Sequence, residues 1–170
     1  MGDLLSLPLK RPTAPRLPLR RGTPATEHYE RGVALEATDP SAAMTAYERA
    51  IAGRPELSDA HNNLARLLHD DGQLARAESC YRIALCVAPS VALYWFNLGV
   101  VVEDQGRRAE AIAHYEHALS LDAALADAHY NLARLYELTA RGANDELLLH
   151  RAVRHLVRYK RLAKTTALSR

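Results

Sequence analysis

The chain has 170 residues, of which 48% are hydrophobic and 25% charged, with a formal net charge of +2. That balance fits one globular domain and excludes the low-complexity and fibrous classes. No run approaches the roughly 20 apolar residues of a membrane-spanning helix. Pro8 also interrupts the short apolar start before a signal-peptide core can form, so the expected location is cytoplasmic.

Residues 1–25 read as a disordered basic tail, with Lys10, Arg11, Arg16, Arg20 and Arg21 set against Asp3. Pro12, Pro15 and Pro18 are three apart, which is the pitch of a polyproline II helix. Such a segment can dock into an aromatic groove or serve as a solvated linker. Met1-Gly2 with Ser6 also fits a short myristoylation pattern.

From Thr26 the apolar spacing turns helical. Eight helices are expected at about 26–37, 40–53, 57–70, 74–87, 91–104, 108–121, 125–139 and 145–163, and nothing reads as a strand. Asp39-Pro40 marks a helix start, with proline in the first turn. Gly72, Gly106 and Gly142 sit where a helix C-cap needs a left-handed residue. Residues 164–170 are expected to be a flexible end.

A fixed step of 34 runs through these helices. His61, Leu64 and Ala65 step to Trp95, Leu98 and Gly99, and again to His129, Leu132 and Ala133. Ala77, Tyr81 and Ala84 step to Ala111, Tyr115 and Ala118. A constant period in this range means stacked supersecondary units. Short side chains let two helices approach closely, with Leu and Tyr filling the space between.

These residues resemble the tetratricopeptide repeat family. Trp95-Phe96-Asn97-Leu98-Gly99, Val102, Ala111, Tyr115 and Ala118 follow its signature, and the unit before ends at Pro89. The resemblance implies an all-α solenoid of four antiparallel helix pairs over 26–163, with repeats at about 26–57, 58–91, 92–125 and 126–163 and the last helix as an end cap. Ala123 replaces the expected proline, and Ala152 falls seven residues later than the period requires.

The resemblance also implies a peptide-binding groove lined by the first helix of each unit. The residue before each Leu-Gly or Leu-Ala is Asn63, Asn97 and Asn131, again 34 apart. An exposed amide ladder could pair with an extended backbone. This is similar to the asparagine ladder of the repeats on a protein O-linked sugar transferase, and in part to carboxylate-clamp repeats that hold chaperone C-termini. Arg66 and Arg134, three residues on, share the amides' helix face and could grip a carboxylate. Val100 breaks that series, and Phe96 and Tyr130 offer apolar contact.

The expected function is therefore a non-enzymatic scaffold that holds a protein or peptide partner, with no cofactor. His114 with His117 and His150 with His155 lack the three or four converging ligands that zinc usually needs. No phosphate loop, nucleophile elbow or HExxH occurs. Cys80 and Cys86, six apart on a helix, are too distant for a disulfide and read as small buried residues. An alternative reading comes from charge. Residues 26–149 hold ten arginines and 19 acids, whereas residues 150–170 hold seven basic residues and no acid. Basic ends of this kind could associate with nucleic acid or an anionic surface.

Overall fold

The computed structural model describes residues 24–143 and 145–168. They form eight α-helices: α1 Pro24–Leu35, α2 Pro40–Gly53, α3 Ser58–Asp70, α4 Leu74–Val87, α5 Ala92–Asp104, α6 Arg108–Leu121, α7 Ala126–Ala143 and α8 Glu146–Leu168. No strand occurs among the described residues. Each helix packs on the next in the chain, and α3 also touches α5. The helices thus form four pairs, each buried against its neighbours.

The local signals explain the boundaries. Asp39 caps α2 by accepting from the Ala42 amide at 2.9 Å, and Pro40 occupies the first turn. Gly72 and Gly106 adopt φ of +78° and +82°. The amide of Gln73 then donates to Leu68 and that of Arg107 to Val102, which closes a Schellman motif after α3 and α5.

The core repeats with the period. Ala43, Tyr47 and Ala50 of α2 are fully buried, as are Ala77, Tyr81 and Ala84 of α4 and Ala111, Tyr115 and Ala118 of α6. The rings of Tyr47 and Tyr115 lie over the glycine of their pair. A Cβ added to Gly99 would stand 2.7 Å from Tyr115 Cε1, and one on Gly32 would stand 2.6 Å from Tyr47 Cε1. The helices are therefore in contact through the missing side chain.

Several expectations are corrected. Pro24 and Ala25 already belong to α1, and the tail reading of residues 1–23 lies outside the described residues, as does the myristoylation pattern. Gly142 is no cap: α7 runs through it to Ala143, 18 residues against 13 for α3 and α5. That extra length displaces Ala152 from the period. The segment expected to be flexible at 164–170 is helical as far as Leu168. Cys86 is exposed and Cys80 only partly buried; both thiols are free.

The apolar stripe of α8 is only half covered. Ala152 is buried and Leu148 packs on the core, whereas Val153 and Val157 are 60% and 62% exposed. No described helix is long and apolar enough to cross a membrane.

Candidate functional site

The odd-numbered helices carry the residues singled out by the period, and the structure places them deeper than expected. Asn63, Asn97 and Asn131 are 7%, 2% and 1% exposed, which corrects the expectation of a free amide ladder. Each amide bonds inside the fold. Asn63 Nδ2 donates to the hydroxyls of Tyr47 at 3.3 Å and Tyr29 at 3.4 Å. Asn131 bonds the Tyr115 hydroxyl, and Asn97 Nδ2 donates to Asn62 Oδ1 at 3.0 Å. The carbonyl oxygens of Asn97 and Asn131 are buried and accept from no described group.

Arg66 and Arg134 are also engaged. Arg66 pairs with Glu36 at 2.6 Å, and Arg134 pairs with Glu103. Each of those carboxylates accepts from a core tyrosine, Glu36 from Tyr47 at 2.5 Å and Glu103 from Tyr115 at 2.9 Å. The same four-residue arrangement therefore recurs: Glu36, Tyr47, Asn63 and Arg66 join the first pair to the second, and Glu103, Tyr115, Asn131 and Arg134 join the third to the fourth. Burial is the main cause that pushes the Tyr47 and Tyr115 hydroxyls far above the ordinary tyrosine range, and the neighbouring carboxylate adds to it.

The middle junction uses different contacts. Asp59 accepts from Tyr94, Asn62 from Asn97, and His69 Nε2 lies 2.5 Å from Asp104 Oδ2. The first two of these pairs are 35 residues apart and so is the third. Sequence reasoning missed Asn62, Tyr94 and His69, because a 34-residue search aligns each residue with its equivalent and not with its contact. Val100 is half-buried where the arginine would be. Phe96 and Tyr130 are buried, Phe96 against Tyr115 and Tyr130 against Tyr159 of α8.

The aromatic position of the repeat behaves uniformly. Trp95 Nε1 donates to the Pro89 carbonyl at 2.8 Å, and His61 Nε2 lies 2.9 Å from the Pro55 carbonyl. His129 Nε2 reaches the Ala123 carbonyl at 3.3 Å, so the missing proline changes little. These rings tie each first helix to the turn six residues before it. His114 and His117 stack on Trp95. Among the described residues no three His, Cys, Asp or Glu side chains converge as metal ligands.

Comparison with known proteins agrees with this geometry. A family model described as TPR repeat matches residues 104–139, and one described as tetratricopeptide repeat matches 46–79. The chain carries tetratricopeptide repeats. The crystal structure of MamA superposes with a TM-score of 0.74 at 17% identity, over 84% of this chain and 80% of that one. MamA 41-end from Desulfovibrio magneticus RS-1 gives 0.70 at 20% identity, over 83% and 76%. The first TPR of Spaghetti (RPAP3), bound to the HSP90 peptide SRMEEVD, gives 0.66 at 20% identity, over 69% and 94%. No curated protein matches the sequence. As a tetratricopeptide array, the chain is a protein-interaction module.

Proposed function

We propose that this tetratricopeptide array holds an extended polypeptide segment along the face formed by its odd-numbered helices. Arg66, Val100 and Arg134 touch the segment. Asn63, Asn97, Asn131, Phe96 and Tyr130 form the layer beneath that fixes them in place. One observation carries the reading: the three contact positions recur at steps of 34, and each is only partly covered while the residues around it are buried. The guanidiniums are held in one geometry by Glu36 and Glu103. An arginine has five N–H donors, so Arg134, with one carboxylate partner, keeps donors for a ligand, whereas Arg66 is shared between Glu36 and Asp70, the latter at 3.7 Å. Prior fixing of side chains lowers the ordering cost of association.

The neighbour bound to SRMEEVD supplies a probe. That peptide, titrated into isotopically labelled protein, is expected to move the backbone signals of Arg66, Val100 and Arg134. A Val100→Glu variant should weaken binding of the acidic peptide by roughly tenfold, because like charges meet on the contact face. Val100 packs on the core, so the variant is expected to melt somewhat lower, and its affinity is measured at a temperature where its spectrum shows it folded. Signals that move only on α8, or an unchanged affinity in Val100→Glu, overturn the groove reading.

A further inference from the structure

The even-numbered helices carry a second series of contacts, and that series stops being balanced at the last pair. Between α2 and α4, Arg76 meets Glu48 at 3.2 Å. Between α4 and the start of α6, Arg107 meets Glu78 at 2.8 Å, and Arg82 meets Glu110 at 3.3 Å. Arg76, Arg82 and Arg107 each face a carboxylate of the adjoining pair. The Arg107 guanidinium holds Glu78 below the ordinary carboxylate range, so that pair stays ionised.

The junction of α6 with α8 breaks this rule. A cavity of about 740 Å³ opens there, lined by Glu116 of α6, His129 and Tyr136 of α7, and Arg151, Arg154, Arg158 and Arg161 of α8 with His155. Four guanidiniums face one carboxylate. Glu116 is already engaged, accepting from the Tyr136 hydroxyl. Arg151 lies over the Tyr136 ring, 5.9 Å from its centroid. Among the described residues, none of the four arginines forms an ion pair with an acid of the chain.

The spacing of these arginines on α8 is what gathers them. Positions 151, 154, 158 and 161 follow steps of three, four and three, so one helix face collects all four over about 15 Å. Like charges so close repel one another unless counter-charge is supplied from outside. The floor of the cavity adds to the effect. His129 and His155 meet through their Nδ1 atoms at 2.8 Å, and burial lowers the tendency of both rings to take a proton. They present a neutral floor beneath a ring of fixed positive charge.

We propose that this cavity binds a small phosphorylated ligand carrying at least two adjacent negative charges, such as a polyphosphate or a phosphorylated ester, with Arg154, Arg158 and Arg161 as its principal contacts. Planar guanidiniums match phosphate oxygens two at a time, which a scattered set of lysines would not do. The volume falls within the range of small-molecule sites. The N-terminal tail is a poor occupant, because its own charge is positive.

Inorganic triphosphate is the probe, titrated into the full chain at low ionic strength by calorimetry. One-site binding is expected, with shifts of the His129 and His155 ring signals in NMR spectra. The double variant Arg154→Glu with Arg158→Glu should weaken binding by roughly tenfold or more, given what charge-assisted hydrogen bonds contribute. Both positions are exposed, so its thermal unfolding should match that of the parent. Arg20→Glu with Arg21→Glu, in the tail, should leave the affinity unchanged. Unaltered affinity in the α8 variant, or loss of binding in the tail variant, overturns the proposal. So does retention on anionic vesicles or a single-stranded oligonucleotide with no uptake of free triphosphate, since a surface and not a cavity would then be recognised.

Discussion

The first three helix pairs and the last are built from one pattern, yet they treat their charges and apolar surface differently. In the first three, a tyrosine of the second helix is buried, in the first and third against a glycine, and arginines on the even face meet carboxylates of the adjoining pair. In the fourth, α7 is longer, α8 runs for 23 residues, Val153 and Val157 stand in solvent, and four arginines share one acid. Among the described residues the second and third pairs each pack against two others, and the first and fourth against one. The period records the packing that every unit shares, and the departures from it gather in the fourth pair.

The sharpest way to break this comparison is to change one glycine in each region. Gly99→Ala places a Cβ against the Tyr115 ring. We expect a loss of about 2–3 kcal/mol, the cost of overpacking a close helix contact. Gly142→Ala meets nothing within 4 Å and lies inside α7. That change should add about 0.5–1 kcal/mol, because alanine loses less backbone entropy in a helix. Chemical denaturation of the two variants gives both values. Equal effects would show that the last pair is as tightly fitted as the third.

The buried polar contacts come next. Arg134→Ala removes the partner of Glu103, whose side chain is 12% exposed. A loss of about 2 kcal/mol is expected, below the value for a fully buried pair because Arg134 keeps some solvent contact. Arg158→Ala on α8 has no ion pair to break and should change stability by less than about 0.5 kcal/mol. Asn63→Ala and Asn97→Ala should each cost about 1–2 kcal/mol, because each leaves a buried hydroxyl or amide oxygen without its donor. A melting temperature within a degree of the parent for either variant would return the amides to the ligand-facing role that their spacing first suggested.

Those asparagines show what the sequence made legible. The 34-residue echo identified the helices, the packing residues and the face on which Asn63, Asn97 and Asn131 stand. It could not say how deep that face lies. Depth depends on how closely successive odd-numbered helices approach, and that is set by contacts such as Asn62 with Asn97, which have no signature of their own. The arginines failed in the same way. Arg66 and Arg134 looked free because their partners, Glu36 and Glu103, belong to the preceding unit, 30 and 31 residues earlier. Gly142 misled for a local reason: glycine permits a cap but does not impose one, and α7 has enough support from α8 to continue through it.

The smallest expected effect is a response to acid confined to the last pair. His155 sits half-buried where α7 and α8 meet, and its pKa is lowered to about 4, first by burial and then by His129 and the nearby Arg154. His129 is lowered too, chiefly by burial. The groups facing this pair are Glu116 from α6, Tyr136 from α7, and Arg151, Arg154, Arg158 and Arg161 from α8. An imidazole whose folded pKa lies below its unfolded value of about 6.5 stabilises the fold above that value. The contribution fades as pH falls from about 6.5 towards 4, because the unfolded chain takes up the proton first. Solvent around the half-exposed ring weakens the effect, so the melting temperature should drop by only a degree or two between pH 7 and pH 5. The ring signals of His155 should still report the neutral form at pH 5. Replacement by His155→Phe should flatten the pH dependence of melting while leaving that of the first three pairs unaltered. A titration of His155 near 6.5 would mean that the seam between α7 and α8 is open to water, and that the fourth pair is looser than the other three by more than exposed valines alone require.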